Sequence, residues 1–186
     1  ERRGMIVSPT ALSGPHDAIL DEAVSGVGRD PAFQPITALA DGSVVGFEAL
    51  TRWPALGDPD PEAVFAHAAA TGRLGGLEKM CIDAAIDSAL RQDLPRGTLL
   101  ALNCEPLGGH LSRAENPLLD RAHDELRVIF ELTERNLLTH PRALLRKVAG
   151  LRADGFGIAL DDIGAHPDSL ALLDVICPDI VKLDVH

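Results

Sequence analysis

The sequence has few cysteines and no long apolar stretch, and these absences narrow the classes of protein that it can encode. Cys81, Cys104 and Cys177 are an odd number without paired spacing, so neither a disulfide framework nor a zinc site is indicated. No apolar run approaches the roughly 18 residues of a membrane span. The amino-terminal residues also lack the long apolar segment of a signal peptide. We therefore expect no membrane segment in this chain and a reducing, cytoplasmic location.

Clustered basic residues are missing as well. The chain has 17 Lys and Arg against 28 Asp and Glu, which gives a formal net charge of −11. A general nucleic-acid surface is therefore not expected, because phosphate backbones are bound by clustered Lys and Arg. An anionic small ligand would need local Arg, Lys or metal to overcome the repulsion. The seven His residues show no metal-ligand spacing.

What the sequence does contain is enough apolar material for one domain, arranged as alternating strands and helices. It has 186 residues, of which 46% are hydrophobic. Short β-prone runs predict strands at about 33–39, 44–53, 98–103, 127–133, 157–162 and 180–185. Segments of helical period predict helices at about 16–26, 61–71, 74–93, 116–124, 141–153 and 168–175. Residues 40–43 are short enough for a hairpin, so the first two strands are expected to be antiparallel.

The later strand and helix repeats predict an α/β fold, with a parallel sheet covered by helices and a site at the carboxyl edge. An incomplete β/α barrel is the first interpretation. An open doubly wound sheet is the second, but no Gly-rich phosphate loop follows any strand, which weakens it.

Acidic and amide residues stand at the ends of several predicted strands. Asp161 and Asp162 end an apolar run, where adjacent carboxylates are costly unless a cation lies between them, although such pairs also occur in ordinary turns. Further oxygen donors near strand ends are Glu48, Asn103 and Glu131. A single Glu in such a place is usually solvated, but donors on four strands favour a shared site. Carboxylates with an amide, without His or Cys, suit a hard cation such as Mg²⁺, Mn²⁺ or Ca²⁺.

Lys182 and Asp184 share one face of the last predicted strand, opposite Val181 and Leu183. Two interpretations stay open. The two charges could neutralise each other at the rim of the sheet. Alternatively, Lys182 could hold a phosphate or the attacking water in a metal site.

Five short segments, in this order along the chain, resemble a known family. They are Phe33-Gln34-Pro35-Ile36, Val44-Val45-Gly46-Phe47-Glu48-Ala49-Leu50-Thr51-Arg52-Trp53, Phe130-Glu131-Leu132-Thr133-Glu134, Ala159-Leu160-Asp161-Asp162 and Val181-Lys182-Leu183-Asp184. With the Asn103 segment between the second and third, they resemble the EAL domain family of cyclic di-GMP phosphodiesterases. The resemblance runs from about residue 19 to the end of the chain.

The resemblance implies a modified, TIM-like β/α barrel whose first strand is antiparallel. In that frame residues 1–15 are a tail or linker. Residues 16–186 are then an EAL domain with six of eight strands. The barrel would lack its last two strands in this chain, together with a further metal-binding glutamate and a nucleotide-binding glutamine. From this we expect the 186 residues alone to be inactive.

The resemblance also implies roles for individual residues. Two Mg²⁺ or Mn²⁺ ions are expected, and their ligands by resemblance are Glu48, Asn103, Glu131, Asp161 and Asp162. Asp161 would bridge to the second ion, which Asp162 also binds. Glu48 and Lys182 are expected to act in catalysis, supported by Glu134, which would steady the loop after the fifth strand. Gln34, Arg52 and Asp184 are expected to bind the substrate.

The implied activity is hydrolysis of cyclic di-GMP to linear pGpG by the intact protein, as a homodimer in cytoplasmic bacterial second-messenger signalling. The loop from Ile163 to Ser169 departs from the family pattern, which usually has Phe at the first position and a Thr-Gly-Tyr-Ser-like run after it. Glu105 likewise replaces a small hydroxyl residue. One alternative is therefore an EAL module that binds cyclic di-GMP or a partner protein without hydrolysis. Another is a metal-using β/α barrel with a different substrate.

Overall fold

A computed structural model of the chain describes residues 14–133, 139–163 and 170–183. The strands are β1 (Asp30–Thr37), β2 (Val44–Arg52), β3 (Leu99–Asn103), β4 (Arg127–Thr133), β5 (Gly157–Ile163) and β6 (Ile180–Leu183). The helices are α1 (Pro15–Val24), α2 (Pro61–Ala70), α3 (Leu74–Leu90), α4 (Pro117–Glu125), α5 (Pro141–Ala153) and α6 (Leu170–Ile176), with a 3₁₀ turn at Pro54–Leu56. No helix within these ranges has both the length and the apolarity that crossing a membrane requires.

The six strands form one sheet in strict chain order, from β1 to β6. β1 and β2 are antiparallel, and every later neighbouring pair is parallel. The predicted hairpin and the predicted β/α barrel architecture are both confirmed. The doubly wound alternative was wrong, because that arrangement requires a point at which the strand order reverses.

Some predicted boundaries were wrong by a few residues. β1 begins at Asp30, not at residue 33, because Asp30, Pro31 and Ala32 continue the antiparallel ladder to the end of β2. Its Pro residues are tolerated because β1 lies at the edge of the described sheet. Helix α3 ends at Leu90, not at residue 93.

The outer face of the sheet packs against the helices and forms the main core. Alternate residues of β3, β4 and β5 point to this face, and side chains such as Leu100, Phe130 and Leu160 are fully buried. Phe130 meets Phe156 edge to face, with ring centroids 5.3 Å apart. The opposite face is therefore the one that is free to carry polar groups at the carboxyl ends of the strands.

Polar caps fix the starts of two helices beside the sheet. The Asp60 carboxylate accepts from the backbone N–H of Glu62 at 3.1 Å, at the start of α2. Asn116 accepts from the N–H of Leu118 at 3.0 Å, at the start of α4, and donates to Asp83 of α3 at 2.6 Å. These contacts fix α4 against α3 and therefore fix the return of the chain into β4.

A pair of glycine variants tests this packing. In Gly46→Ala the new methyl group would overlap the backbone carbonyl of Leu99 on the neighbouring strand, and we expect unfolding to become easier by about 1–3 kcal/mol. Gly150 lies inside α5 with open space around it, so Gly150→Ala should stabilise by up to about 1 kcal/mol. Urea denaturation measures both. A neutral Gly46→Ala would contradict the described β2–β3 contact.

Candidate active site

Three carboxylates from three strands surround one lysine ammonium. The Nζ of Lys182 lies 3.0 Å from Oε2 of Glu48, 3.1 Å from Oε2 of Glu131 and 3.1 Å from Oδ2 of Asp161. The acceptors belong to β2, β4 and β5, and the donor belongs to β6. Residues up to 134 positions apart in sequence therefore share one small volume.

Strand register explains why these side chains converge. Residues paired across neighbouring strands project to the same face of a sheet. Glu48 pairs with Ala101, and Glu131 pairs with Ala159, so small residues leave room beside each carboxylate. Curvature of the sheet then directs these side chains toward one another at its carboxyl edge.

The cluster has more negative than positive charge. When all four groups are ionised, three carboxylates face one ammonium, which leaves an excess of two negative charges. The Glu131 side chain is only 3% exposed, and burial first, then the charge of Glu48, raises its pKa to about 7. Burial alone would lower the pKa of Lys182, but the charge of Glu131 and the hydrogen bond to Glu48 outweigh it and raise that pKa.

The donor set fits a hard divalent cation. No three His, Cys, Asp or Glu side chains within the described ranges are grouped as a preformed metal site. The three carboxylates instead surround the Lys182 ammonium, which stands in for a shared cation. A divalent ion in that position would offset most of the three negative charges, and oxygen donors alone are what Mg²⁺ and Mn²⁺ prefer.

The remaining predicted site residues make no hydrogen bond to Lys182 in the described structure; they lie beside the cluster, elsewhere at the strand ends, or outside the described residues. Gln34 pairs with Glu48 across the β1–β2 ladder, and Asn103 pairs with Glu131 across β3 and β4, so each lies beside a member of the cluster. Arg52 ends β2 and donates to the carbonyl of Thr51 at 3.0 Å. The backbone of Asp162 is in β5, but its side chain is outside the described part of the structure. Glu134 and Asp184 are also outside the described residues.

A cavity of about 550 Å³ lies between the carboxyl ends of β2, β3 and β4 and the helices α2 and α3, and none of the four cluster residues lines it. Arg52, Asn103 and Thr133 contribute polar groups at the strand ends, and Phe65 and Leu74 belong to its apolar wall. This volume lies in the range of small-molecule sites, which combine apolar walls with a few polar groups. The cavity can therefore admit a ligand with both apolar and polar parts.

Sequence reasoning missed several residues of this region. Thr133 pairs with Asp161 and lines the cavity, and its place two residues after Glu131, on the same strand, was a usable indication. Phe65 is a helix residue whose helical period indicated only burial. Glu78 and Lys147 form a buried ion pair that no sequence pattern indicated, because each is one charged residue on an amphipathic helix.

A sequence model of the EAL domain matches residues 17–186 of the chain. The chain belongs to the EAL domain family. One relative of this EAL domain is the uncharacterized protein y4lL of Sinorhizobium fredii, which is 32% identical over 158 residues, covering 82% of this chain and 19% of y4lL. Another is PdeG of Escherichia coli, a probable cyclic di-GMP phosphodiesterase, at 27% identity over 178 residues, covering 90% of this chain and 35% of PdeG.

Solved structures give the same family. The manganese and cyclic di-GMP complex of Klebsiella pneumoniae BlrP1 superposes with a TM-score of 0.70 and 31% identity, covering 86% of this chain and 41% of that chain. The chain therefore spans less than half the length of each of these proteins. Its fold is the six-stranded part of a TIM-like barrel with an antiparallel first strand.

The raised pKa of Glu131 predicts how stability depends on pH in the absence of metal. The folded protein keeps a proton on Glu131 up to about pH 7, whereas the unfolded chain releases it near 4.5. This contribution to the free energy of unfolding is full below pH 4.5 and is lost as the pH rises to about 7. Urea titrations in EDTA should show it in wild type and not in Glu131→Gln. Identical pH profiles would contradict it.

Proposed function

We propose that this EAL domain, in the intact protein, is a cyclic di-GMP-specific phosphodiesterase that uses Mg²⁺ or Mn²⁺ and releases linear pGpG. The observation that supports it most is the convergence of Glu48, Glu131 and Asp161 on one shared cation position. A structure that held Lys182 for stability alone would not need three carboxylates around it, because their mutual repulsion is costly.

In this proposal Glu48, Asn103, Glu131 and Asp161 hold one ion. Asp161 and Asp162 hold a second. When bound, such ions lower the pKa of water and stabilise the negative charge that develops on a phosphoryl group. The chain's own residues place the oxygen ligands on rigid strands, which keeps the ligand geometry constant during turnover.

The cationic side chains act on the substrate. Because the pKa of Lys182 is raised, this residue stays protonated at neutral pH and can donate to the scissile phosphate or orient the attacking water. Its side chain is 32% exposed and can therefore be reached by a ligand. We assign Arg52, which lines the cavity, to a phosphate of the ligand, and Gln34 and Asp184 to further substrate contacts. We assign Glu134 to steadying the loop after β5.

The test is a product assay on the intact protein that contains this domain. Cyclic di-GMP with Mn²⁺ or Mg²⁺ should yield pGpG, EDTA should abolish the reaction, and added Mn²⁺ should restore it. Cyclic di-AMP serves as the specificity control and should stay intact. With Ca²⁺ as the sole metal, pGpG formation should be inhibited relative to Mn²⁺ or Mg²⁺, because the larger radius and looser geometry of Ca²⁺ misplace the attacking water.

The other outcomes separate the alternatives. If cyclic di-GMP binds at micromolar strength but stays intact with every metal, the domain is a receptor, as the departures from the family pattern at residues 163–169 would favour. If no cyclic dinucleotide binds, a different substrate of a metal-using barrel is indicated. We further propose that the intact protein acts as a homodimer in the cytoplasm. Sedimentation at assay concentration tests the dimer, and a monomer with full activity would overturn it.

A further inference from the structure

A buried ion pair lies behind the candidate active site and joins two helices. Nζ of Lys147 on α5 is 2.8 Å from Oε2 of Glu78 on α3. The two side chains are 7% and 1% exposed, respectively. Buried pairs contribute little to stability compared with apolar residues of the same size, because desolvation offsets their attraction. Stability alone therefore does not explain why an ion pair is buried at this position.

Both charged groups bind the same loop. Oε1 of Glu78 accepts from the backbone N–H of Glu105 at 2.7 Å, and Lys147 donates to the carbonyl of Gly109 at 2.8 Å. Within the loop, the N–H of Gly108 donates to the carbonyl of Glu105 at 3.0 Å. The turn from residue 105 to 109 is therefore tied to the ion pair at both of its ends.

The turn is shaped around the Glu78 carboxylate. A side chain at Gly108 would overlap that carboxylate, and a Cβ on Gly75 of α3 would lie 3.0 Å from the backbone nitrogen of Gly109. The backbone therefore approaches α3 closely only because glycine occupies these positions. Such a fit holds the turn in one place.

The 105–109 turn begins two residues after Asn103, which is a proposed metal ligand. Asn103 ends β3, and the next residue, Cys104, donates its N–H to the carbonyl of Glu131 at 2.9 Å. Cys104 is buried against the ion pair, and burial first, then the charge of Glu78, raises the pKa of its thiol. Glu78 also lines the cavity together with Asn103 and Cys104. Glu105, whose N–H donates to Glu78, is thus only two residues after Asn103 along the chain.

We propose that Glu78 and Lys147 are positioning residues that fix Asn103 for metal binding by holding the 105–109 turn. This inference rests on the proposed role of Asn103 in the phosphodiesterase. A purely structural role is less well supported, because buried apolar side chains, Ile86 of α3 and Leu144 and Leu151 of α5, already join both helices to the main core. What the ion pair contributes beyond that packing is a fixed position of the 105–109 turn.

The experiment compares two double variants in the intact protein. Glu78→Met/Lys147→Met removes both contacts to the turn with little change of volume. Glu78→Gln/Lys147→Met keeps an oxygen that can accept from the N–H of Glu105. The control is Asp87→Asn/Arg91→Met, which removes an exposed ion pair at the other end of α3. Mn²⁺ affinity by electron paramagnetic resonance, kcat and KM, and the urea midpoint are measured for each.

We expect the Met/Met variant to bind Mn²⁺ about 10–100-fold more weakly and to lose kcat by a similar factor, with KM changed less. The Gln/Met variant should recover part of both losses, and the control should match wild type. In an Asn103→Ala background, neither double variant should weaken Mn²⁺ binding further, because the lost positioning acts through Asn103. If the Met/Met variant does not fold, the Gln/Met variant gives the same comparison with a loss of about tenfold.

Unchanged Mn²⁺ affinity in the folded double variants would overturn the inference. So would a loss of full size in the Asn103→Ala background, since that would show a general effect on the fold. Because Mn²⁺ binding is measured without cyclic di-GMP, a wild-type protein that binds Mn²⁺ but hydrolyses nothing refutes the proposed function and leaves this test intact. A wild-type protein that binds no Mn²⁺ refutes both.

Discussion

Replacing Lys182 by methionine is expected to tighten Mn²⁺ binding while lowering kcat for cyclic di-GMP by about 10²–10³-fold. The ammonium lies within 3.1 Å of all three carboxylates and is the cation that they share in the described structure. Removing it takes away a competitor for the same oxygens, so affinity for a divalent ion should rise about tenfold or more. It also takes away the positive charge assigned to the phosphate.

The two effects have opposite signs, which makes the Lys182 result informative. A lysine that only supported the fold would weaken metal binding and turnover together when replaced. Isothermal titration with Mn²⁺ and a product assay on the same samples give both quantities. Lys79→Met, which removes an exposed lysine of α3, is the control and should change neither. Weaker Mn²⁺ binding in Lys182→Met would contradict the proposed competition.

The second large effect is expected for Glu48→Gln. This change keeps the shape of the side chain and removes one of the three negative charges around Lys182. We expect Mn²⁺ affinity and kcat each to fall by at least about 10²-fold, because an amide is a weaker ligand than a carboxylate at a shared cation site. Since the charge of Glu48 helps to raise the pKa of Glu131, the pKa of Glu131 should also fall in this variant.

Three measurements check the Glu48 prediction. Mn²⁺ titration and pGpG formation report the site, and carboxylate titration by NMR reports Glu131. Glu22→Gln, on the exposed side of α1, is the matched control with the same chemical change and should behave like wild type. Retained turnover in Glu48→Gln would exclude this glutamate as a metal ligand.

The sequence allowed the sheet and the identity of the converging carboxylates to be predicted, because both depend on local patterns. Apolar runs that end in Glu131 or Asp161 identify strand ends, and parallel strands bring their ends to one edge. The predicted strand order, the antiparallel pairing of the first two strands and the predicted family were confirmed. The start of β1 was misplaced because Pro31 obscures a strand pattern that tertiary pairing overrides.

Other features depend on contacts that no local pattern encodes. Whether Lys182 would pair with Asp184 or hold a phosphate or water in a metal site could not be decided from alternation. In the structure its ammonium contacts carboxylates of three other strands, and Asp184 is outside the described residues. The Glu78–Lys147 pair joins residues 69 positions apart on two helices that carry several other charged residues. Such pairs appear only when the helices are packed.

The central claim is that Glu48, Glu131 and Asp161 bind one divalent cation in common. Anomalous diffraction from crystals of the protein soaked in Mn²⁺ tests this most directly. We expect a manganese peak within about 2.0–2.3 Å of an oxygen from each of these three side chains, with the Lys182 ammonium displaced from among them. Carboxylates that still surround Lys182 at saturating Mn²⁺, with manganese elsewhere or absent, would contradict it.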